Sequence, residues 1–384
     1  MRTELRRRVH ARVQALIAAL ALALPAAAGA APVTDCPLRN APFSAGSPLI
    51  DLLLSPAARG VLERHLPGAL AKFPPMFAST RAPSFAAILT AKELVGYGRG
   101  DPAVVARIDA DLRKLPVTPA DKLARCERYD NDDPKFAATP ATTKDQPRLL
   151  IMEKMTGFRD APGVNAAHAA FEAMAKRKHW ATFTTTSGGT INPRNLGEFD
   201  VVIWNNVSGD ILTLAQRRAL KAFVERGGGF VAVHGSGGDP VYFWDWYADT
   251  LLGARFIGHP LAPQFQDARV VIDDPAHPVA QGLPASWTMK DEWYSFRTSP
   301  RVSGAHVIAR LDEGTYSPIG MAGQQLRMGD HPIAWTRCVG RGRMAYSAIG
   351  HLPASYSEPH VVSLLENAVV WAAGNGQAAC TSPK

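Results

Sequence analysis

The sequence predicts an α/β fold in which helices cover both faces of a parallel sheet, with a small helical module in front of it. From residue 148 onward, short apolar runs typical of buried strands alternate with amphipathic stretches typical of helices, and this alternation favours a parallel sheet. Residues 36–130 instead contain repeated helix starts and no run that alternates as a strand does. The composition, 46% hydrophobic and 20% charged over 384 residues, is that of a globular protein with room for one large and one smaller domain.

The first 30 residues are typical of a secretory signal peptide. Five arginines precede a short, mostly apolar stretch at 13–24, and small residues ending at Ala30 follow it. We therefore expect a periplasmic or secreted protein. Cleavage would remove five of the 42 basic residues and one of the 34 acidic ones, lowering the formal charge from +8 to +4. That modest surplus gives no reason to expect a nucleic-acid partner, and no later run is long enough to indicate a stable membrane anchor.

Four cysteines lie in the part of the chain that would be exported, where disulfides are expected. Four cysteines allow three pairings, and the sequence does not choose among them. We favour Cys36–Cys126 and Cys338–Cys380, because each bond then closes its own region. The sequence contains no CxxC pair, so a redox motif or a zinc knuckle is not indicated.

The helical module, residues 36–130, contains four pairs of residues that mark helix starts. Each pair places a side-chain acceptor before a proline at the first helical position. The pairs are Ser47-Pro48, Ser55-Pro56, Asp101-Pro102 and Thr118-Pro119. Residues 131–147, rich in Asp, Thr and Pro, are predicted to be a linker.

The predicted α/β domain covers residues 148–374, and 375–384 form a C-terminal tail. Helices are predicted over 164–178 and 359–373, and a third begins at Thr213, where Gln216 completes a capping box. The predicted strands are 149–152, 180–186, 200–205 and 229–234, and a hairpin is formed by 333–338 and 344–349. In an open α/β sheet, ligands bind outside the carboxyl ends of the strands.

His234 is the first candidate at that edge, because it ends a predicted strand and a glycine-rich turn follows it. A histidine there can act as general acid or base near neutral pH, or bind a metal; the alternative is a buried histidine bonded to a loop carbonyl. Ser236 offers a competing interpretation as a nucleophile, but His234 breaks the G-x-S-x-G pattern of a nucleophile elbow. The simpler interpretation is that Ser236 shapes the turn.

Later segments place further polar groups beside aromatic residues or strand ends. Glu292 is a candidate carboxylate partner for a histidine base, and the alternative is a solvated acid beside a structural Trp293. His259, His331 and His351 are candidates for orienting or polarising a substrate, although each could equally satisfy backbone groups.

Known cofactor motifs are missing from the sequence. Without HExxH, HxH or CxxC, a divalent metal is an option only if distant histidines and Glu292 assemble its site, so its ligands stay unknown. A G-x-G-x-x-G fingerprint after the first strand is also missing, which disfavours NAD. The aromatic run at 242–247 suits a carbohydrate, whose C–H faces pack on rings, although such a run also builds core.

Seven motifs in a fixed order resemble one known family. They are TGFRD (156–160), DVVIWNN (200–206), GGGFVAVHG (227–235), GHP (258–260), DEWYSF (291–296), DHPIAW (330–335), and GH (350–351) with SY (355–356). This order is similar to that of the trehalose-utilisation, ThuA-like family, over residues 148–373. The resemblance implies a fold like class I glutamine amidotransferases, a flavodoxin-like three-layer α/β sandwich. It also implies a role in bacterial use of trehalose and related glycosides, including keto-sugars. The positions that match family motifs are Arg159, His234, His259, Asp291, Glu292, His331 and His351.

The chain departs from the family pattern at two places. Asp160 stands where the family more often has histidine, and Gly-Ser-Gly-Gly at 235–238 stands where it usually has alanines, although Asp239 is still present. His234 occupies the place of the amidotransferase cysteine and no cysteine lies nearby, so amidotransfer through a thiolate is excluded.

These patterns together predict a secreted protein that acts on a small-molecule carbohydrate, either a keto-glycoside or a trehalose-related sugar. Whether it is an enzyme (a hydrolase, lyase or isomerase) stays open, as does its oligomeric state. The predicted acid–base residues are His234, Glu292, His331 and His351. The predicted substrate-binding residues are Arg159, Asp239, His259, Asp291, Trp293 and Tyr294. The alternatives are a non-catalytic carbohydrate-binding module and a serine esterase acting through Ser236.

Overall fold

A computed structural model describes residues 32–97, 100–136, 146–374 and 380. The predicted signal peptide, the middle of the predicted linker and most of the predicted tail lie outside the described residues. From Val33 onward the chain belongs to one compact unit. Among the described residues, no helix is long and apolar enough to cross a membrane.

Short helices follow one another in the N-terminal part of this unit. Three predicted starts carry the expected cap, since the side chains of Ser55, Asp101 and Thr118 each accept a hydrogen bond from a backbone amide of the first turn. The fourth start differs, because Pro48 itself occupies the capping position and has no side-chain cap. The helices are α1 (Leu49–Leu54), α2 (Pro56–His65), α3 (Ala69–Lys72), α4 (Pro75–Ala78), α5 (Ala91–Tyr97), α6 (Pro102–Leu112) and α7 (Pro119–Ala124).

A large mixed sheet forms the centre of the remaining chain. The strands are β1 (Arg148–Met152), β2 (Ala181–Thr185), β3 (Val201–Asn205), β4 (Gly229–Val233), β5 (Phe256–Gly258), β6 (Phe265–Ile272), β7 (Ser286–Glu292), β8 (Ser295–Phe296), β9 (His306–Leu311), β10 (Pro332–Val339) and β11 (Gly342–Ser347). Nine of them pair in the order β2-β1-β3-β4-β11-β10-β9-β6-β7, and β5 pairs with β8 separately. The first five strands of that order are parallel, whereas every pairing from β11 to β7 is antiparallel.

The parallel strands were predicted within one or two residues, but the antiparallel extension through β9, β6 and β7 was not. Strands β1, β3 and β4 are apolar and buried on both faces, which gives a clear sequence signal. Strands β6 and β7 alternate buried and exposed residues, as strands with one solvated face do. The predicted hairpin is present as β10 and β11, and the predicted parallel sheet is corrected to a mixed sheet.

Four further helices accompany the sheet: α8 (Ala161–Lys178), α9 (Pro193–Leu196), α10 (Leu214–Glu225) and α11 (Pro359–Ala372). Helix α8 begins three residues earlier than predicted, because the carboxylate of Asp160 accepts the backbone N–H of Gly163. The capping box of Thr213 and Gln216 is present at the start of α10. A seven-residue π-helix, Trp246–Leu252, follows β4 after a loop.

Both favoured disulfides are present, Cys36–Cys126 and Cys338–Cys380. The first joins the chain before α1 to the chain after α7. The second joins the end of β10 to the C-terminal residue that the structure describes. The disulfide prediction is therefore confirmed.

The carboxyl ends of β4, β11 and β7 meet at one edge of the sheet. Four pairings separate β11 from β7, yet the carboxylate of Asp291 in β7 accepts the backbone N–H of Gly350, just beyond β11, at 2.7 Å. The antiparallel half therefore curls back over the ends of the parallel strands. This curl places the end of β7 beside the turn that follows β4.

Candidate functional site

The turn after β4 holds His234 in an unusual backbone conformation. Its φ of +35° lies in the left-handed region, which is rare outside glycine and common at functional sites. The ring is buried, and its Nδ1 lies 2.8 Å from the carbonyl oxygen of Ala348. A carbonyl can only accept, so Nδ1 donates and the Nε2 side of the ring is directed at the other residues of the site.

Glu292, the last residue of β7, lies against this ring together with His351. The Oε2 atom of Glu292 is 3.0 Å from Nδ1 of His351 and 3.5 Å from Nε2 of His234. The two histidine nitrogens are 3.2 Å apart. Only 2% of the Glu292 side chain is exposed, so a carboxylate and two imidazoles converge almost out of water.

The other carboxylate oxygen of Glu292 has its own partners. Oε1 accepts a hydrogen bond from the side-chain amide of Gln264 at 2.5 Å and lies 3.3 Å from Nδ1 of His259. Burial alone would raise the pKa of Glu292, but His234, His351 and His259 outweigh it and hold that pKa well below its usual range. Burial would lower the pKa of His351, and its hydrogen bond to Glu292 reverses this and raises it. The carboxylate is thus ionised and faces histidines on both oxygens.

The four predicted residues at and just after the end of β7 point alternately to the two faces of the strand. Glu292 and Tyr294 form one pair, and Asp291 and Trp293 form the other. Successive side chains point to opposite faces of a strand, and Glu292 and Tyr294 both line the cavity described below. Asp291 is wholly buried and Trp293 is 1% exposed, with its indole N–H donating to the carbonyl of Gln266. The structure therefore does not bring Asp291 and Trp293, both predicted to bind substrate, to the cavity.

Asp291 holds the loop after β11 in place. Its two oxygens accept the backbone N–H groups of Gly350, His351 and Leu352 and the hydroxyl of Ser355. A carboxylate with this many donors is fully occupied, so it positions His351 without being free for a ligand.

His331 lies beneath Tyr294, outside the cavity. It is 0% exposed, its Nε2 donates to the carbonyl of Tyr294 at 2.9 Å, and its Nδ1 is 2.8 Å from Glu313. Tyr294 in turn stacks on His234, with ring centroids 4.2 Å apart. His331 was predicted to be catalytic, and the structure corrects this prediction. His331 instead supports Tyr294, the ring against which His234 packs.

A cavity of about 670 Å³ opens in front of this cluster, within the usual size range for small-molecule sites. Of the predicted residues, it is lined by Asp239, His259, Glu292, Tyr294 and His351, and His234 lies directly behind the last three. Further lining residues were not predicted. They include Phe77, Phe85, Ile88, Lys92, Glu93, Phe158, Phe256, Gln264, Arg297 and Gln324. Among these, only Phe158 carried a sequence signal, because it lies inside the TGFRD motif.

Two other predicted features lie away from the cavity. Arg159 is exposed and is not part of the cavity wall. The aromatic run at 242–247 packs on the core instead, where Tyr247 stacks on Trp204 with centroids 4.6 Å apart. The aromatic run therefore gives no support for a sugar ligand, whereas Tyr294 lines the cavity as predicted for a substrate-binding residue.

Asp239 has a perturbed acidity at the cavity wall. Its carboxylate accepts the hydroxyl of Ser208 at 2.5 Å and the backbone N–H of Gly209 at 2.7 Å. Burial outweighs these hydrogen bonds and raises the pKa of Asp239 to about 7.

Ser236 is bonded as a residue that shapes the turn. Its hydroxyl donates to the carbonyl of Trp204 at 3.0 Å and accepts the backbone N–H of Val207 at 3.0 Å, and 1% of the residue is exposed. A serine nucleophile needs an accessible hydroxyl bonded to a base. The geometry thus contradicts the esterase alternative.

A family model described as "Trehalose utilisation" (ThuA) matches residues 148–372. The chain belongs to the ThuA family. A ThuA-like protein from Bacteroides uniformis ATCC 8492 is 28% identical, with a TM-score of 0.51 over 61% of this chain and 95% of that one. A ThuA-like protein from Parabacteroides merdae ATCC 43184 is 17% identical, with a TM-score of 0.46 over 61% and 92%. No protein with a curated description matches the chain. The family match begins at Arg148, so the cavity residues contributed by α4, α5 and their connection lie outside it.

Proposed function

We propose that this ThuA-family protein acts on a carbohydrate, a keto-glycoside or another trehalose-related sugar, in the 670 Å³ cavity. The observation that carries the proposal is the ionised Glu292 with His351 and His234 within 3.5 Å of one of its oxygens, at the wall of that cavity. The family description, trehalose utilisation, supports a sugar as the substrate class.

The arrangement suits acid–base chemistry at a sugar carbon or hydroxyl. His351 can take up and return a proton, and Glu292, 3.0 Å from Nδ1 of His351, stabilises the protonated ring. His234 lies 3.2 Å from the same nitrogen. Asp239 and His259, at the same wall, can bond sugar hydroxyls. Tyr294 and Phe158 offer ring faces for C–H groups. All four cysteines form disulfides, so a thiol nucleophile has no part in this chemistry.

We also propose a location and a domain arrangement. Two disulfides support an oxidising compartment, the periplasm or the exterior. The parallel strands in the order β2-β1-β3-β4-β11 follow the flavodoxin order 2-1-3-4-5. This order supports a flavodoxin-like three-layer sandwich over residues 148–374, preceded by a helical module at 36–130.

The test is a time course by NMR of the purified protein with trehalose and with its keto derivative. We expect the keto-sugar to be consumed, and consumption to fall at least a hundredfold in Glu292→Gln and His234→Ala. The matched control is His306→Gln, which removes an exposed histidine from a histidine–carboxylate pair with Asp274. Turnover equal to wild type in the two site variants would overturn the acid–base assignment. Saturable sugar binding without any product would favour the carbohydrate-binding alternative.

A further inference from the structure

We propose that Nε2 of His234, Nδ1 of His351 and Oε2 of Glu292 are the three protein ligands of a divalent transition-metal ion, with zinc as the ion to test. The proposal goes beyond the sugar chemistry above, because it concerns what these three atoms hold in the resting protein.

The distances between the three atoms are those of one face of a coordination shell. They are 3.0, 3.2 and 3.5 Å. Metal–ligand bonds of about 2.1 Å at tetrahedral or octahedral angles separate neighbouring ligands by about 3.0–3.4 Å. An ion about 2.1 Å from all three atoms would lie about 0.9 Å from the plane they define, so side chains need little movement to bind it.

The orientation of His234 is also that of a ligand. Its Nδ1 donates to the carbonyl of Ala348, so the lone pair of the neutral ring is on Nε2 and faces Glu292 and His351. Metal-binding histidines are commonly fixed through their other nitrogen in this way. Stacking of Tyr294 on the same ring prevents it from turning.

Binding of an ion replaces a proton in this cluster. Nδ1 of His351 is the donor of its 3.0 Å contact with Oε2 of Glu292, because a carboxylate oxygen accepts. That proton leaves Nδ1 when an ion takes its place, and one lone pair of each of the three atoms then faces the ion.

The surroundings favour one coordination mode. The other oxygen of Glu292 is held by Gln264, so the carboxylate would bind the ion through Oε2 alone. Two imidazoles and one carboxylate on one face leave further coordination positions free, as in catalytic zinc and non-haem iron sites. Since Glu292 and His351 line the cavity, oxygen atoms of a substrate could reach those positions.

Metal binding is tested on the whole protein, stripped with a chelator and then titrated with Zn²⁺ by calorimetry and with Co²⁺ by visible absorption. We expect about one equivalent per chain, and an affinity lower by about a hundredfold or more in Glu292→Gln and in His351→Gln. The matched control is again His306→Gln, for which the affinity should not change. Less than about 0.2 equivalents bound by wild type, or equal affinity in the site variants, would overturn the proposal.

A second measurement needs no variant, in case the substitutions prevent folding. X-ray absorption of the zinc-loaded wild-type protein should show only nitrogen and oxygen ligands, with scattering from two imidazoles. A spectrum without imidazole scattering would contradict the assigned ligands.

Failure of this proposal and failure of the proposed function give different results. Keto-sugar turnover that persists in metal-free protein, with no zinc bound, would refute the metal site and leave the acid–base function standing. Zinc bound by the three residues with no sugar consumed or bound would do the reverse.

Discussion

The carboxylate of Asp291 accepts the backbone N–H of His351 at 3.1 Å, and the next residue, Glu292, contacts the side chain of the same histidine. Asp291 therefore fixes the main chain of His351, and Glu292 is the partner of its ring. One strand end therefore determines both partners of the closest pair in the site. On the proposed function, a change at this point should therefore affect both stability and activity.

We predict that Asp291→Asn lowers the free energy of unfolding by about 2 kcal/mol and also reduces sugar turnover. The NH2 group of an asparagine cannot accept a hydrogen bond, and it would replace the carboxylate oxygen that faces the N–H of Gly350 or of His351. Urea denaturation measures the first effect. Asp267→Asn, on the neighbouring strand β6 and exposed, is the control and should change neither quantity. Unchanged stability in Asp291→Asn would show that the hydrogen bonds of this carboxylate are replaceable.

The sequence predicted the single residues of the site and offered Glu292 as the partner of a histidine, but it did not predict how they come into contact. His234, Glu292 and His351 follow or end strands, and ligands gather at strand ends. However, 59 and 117 positions of sequence separate His351 from the other two, and their meeting depends on the curl of strands that the sequence did not predict. The predicted parallel strands and single hairpin do not include β7 and could not bring it to this edge.

The misplaced residues have a common physical reason. Asp291 and Trp293 were grouped with Glu292 by sequence proximity, whereas the alternation of a strand directs them to the opposite face. Phe77 and Phe85 lie in the predicted helical module, where an apolar residue looks the same in the sequence whether it faces a core or a cavity. The first error follows from ignoring the alternation of a strand, whereas the second could not be avoided, because spacing on a helix does not say what its apolar face packs against.

The raised pKa of Asp239 predicts a pH-dependent stability. Its pKa is about 7 in the folded protein against an ordinary value of 3.8, because burial penalises the charged form. The folded protein therefore binds this proton more tightly than the unfolded chain does. The stability that the proton contributes is fully present below about pH 4 and is lost as the pH rises through about 7. A shift of this size corresponds to a change on the order of 4 kcal/mol.

The measurement compares wild type with Asp239→Asn, in which an amide that does not titrate replaces the acid. Between pH 5 and pH 8, wild type should lose free energy of unfolding relative to the variant. Parallel pH profiles for the two proteins would show that Asp239 is ionised in the folded state at both pH values.

The disulfide Cys36–Cys126 should contribute more stability than Cys338–Cys380. The bonds span 90 and 42 positions, and a longer closed loop removes more entropy from the unfolded chain. We expect the double variant Cys36→Ser/Cys126→Ser to lower the free energy of unfolding by about 4–5 kcal/mol, and Cys338→Ser/Cys380→Ser by about 4 kcal/mol. Chemical denaturation without reductant compares them, and the reverse order would mean that strain or residual structure outweighs loop length.

The helical part of the chain should control sugar affinity, although it lies outside the family match. Phe85 packs between Phe77 and Phe158, with ring centroids 4.7 and 4.9 Å apart, and all three rings line the cavity. Phe158 is itself 6.4 Å from the ring of His351. A wall of aromatic rings that leads to the site can pack on the C–H faces of a bound sugar.

On the proposed function, Phe85→Ala should raise the dissociation constant or KM of the sugar about tenfold and leave kcat within about threefold. The ring would contribute equally to binding of substrate and transition state, which affects KM rather than kcat. The matched control is Phe73→Ala, because Phe73 contacts Phe77 in the same segment at 6.4 Å but does not line the cavity. It should reproduce any loss of packing without the loss of affinity. Equal sugar affinity in Phe85→Ala and wild type would mean that the sugar does not reach this wall. A fall in kcat alone would mean that the helices act on the position of His351 through Phe158.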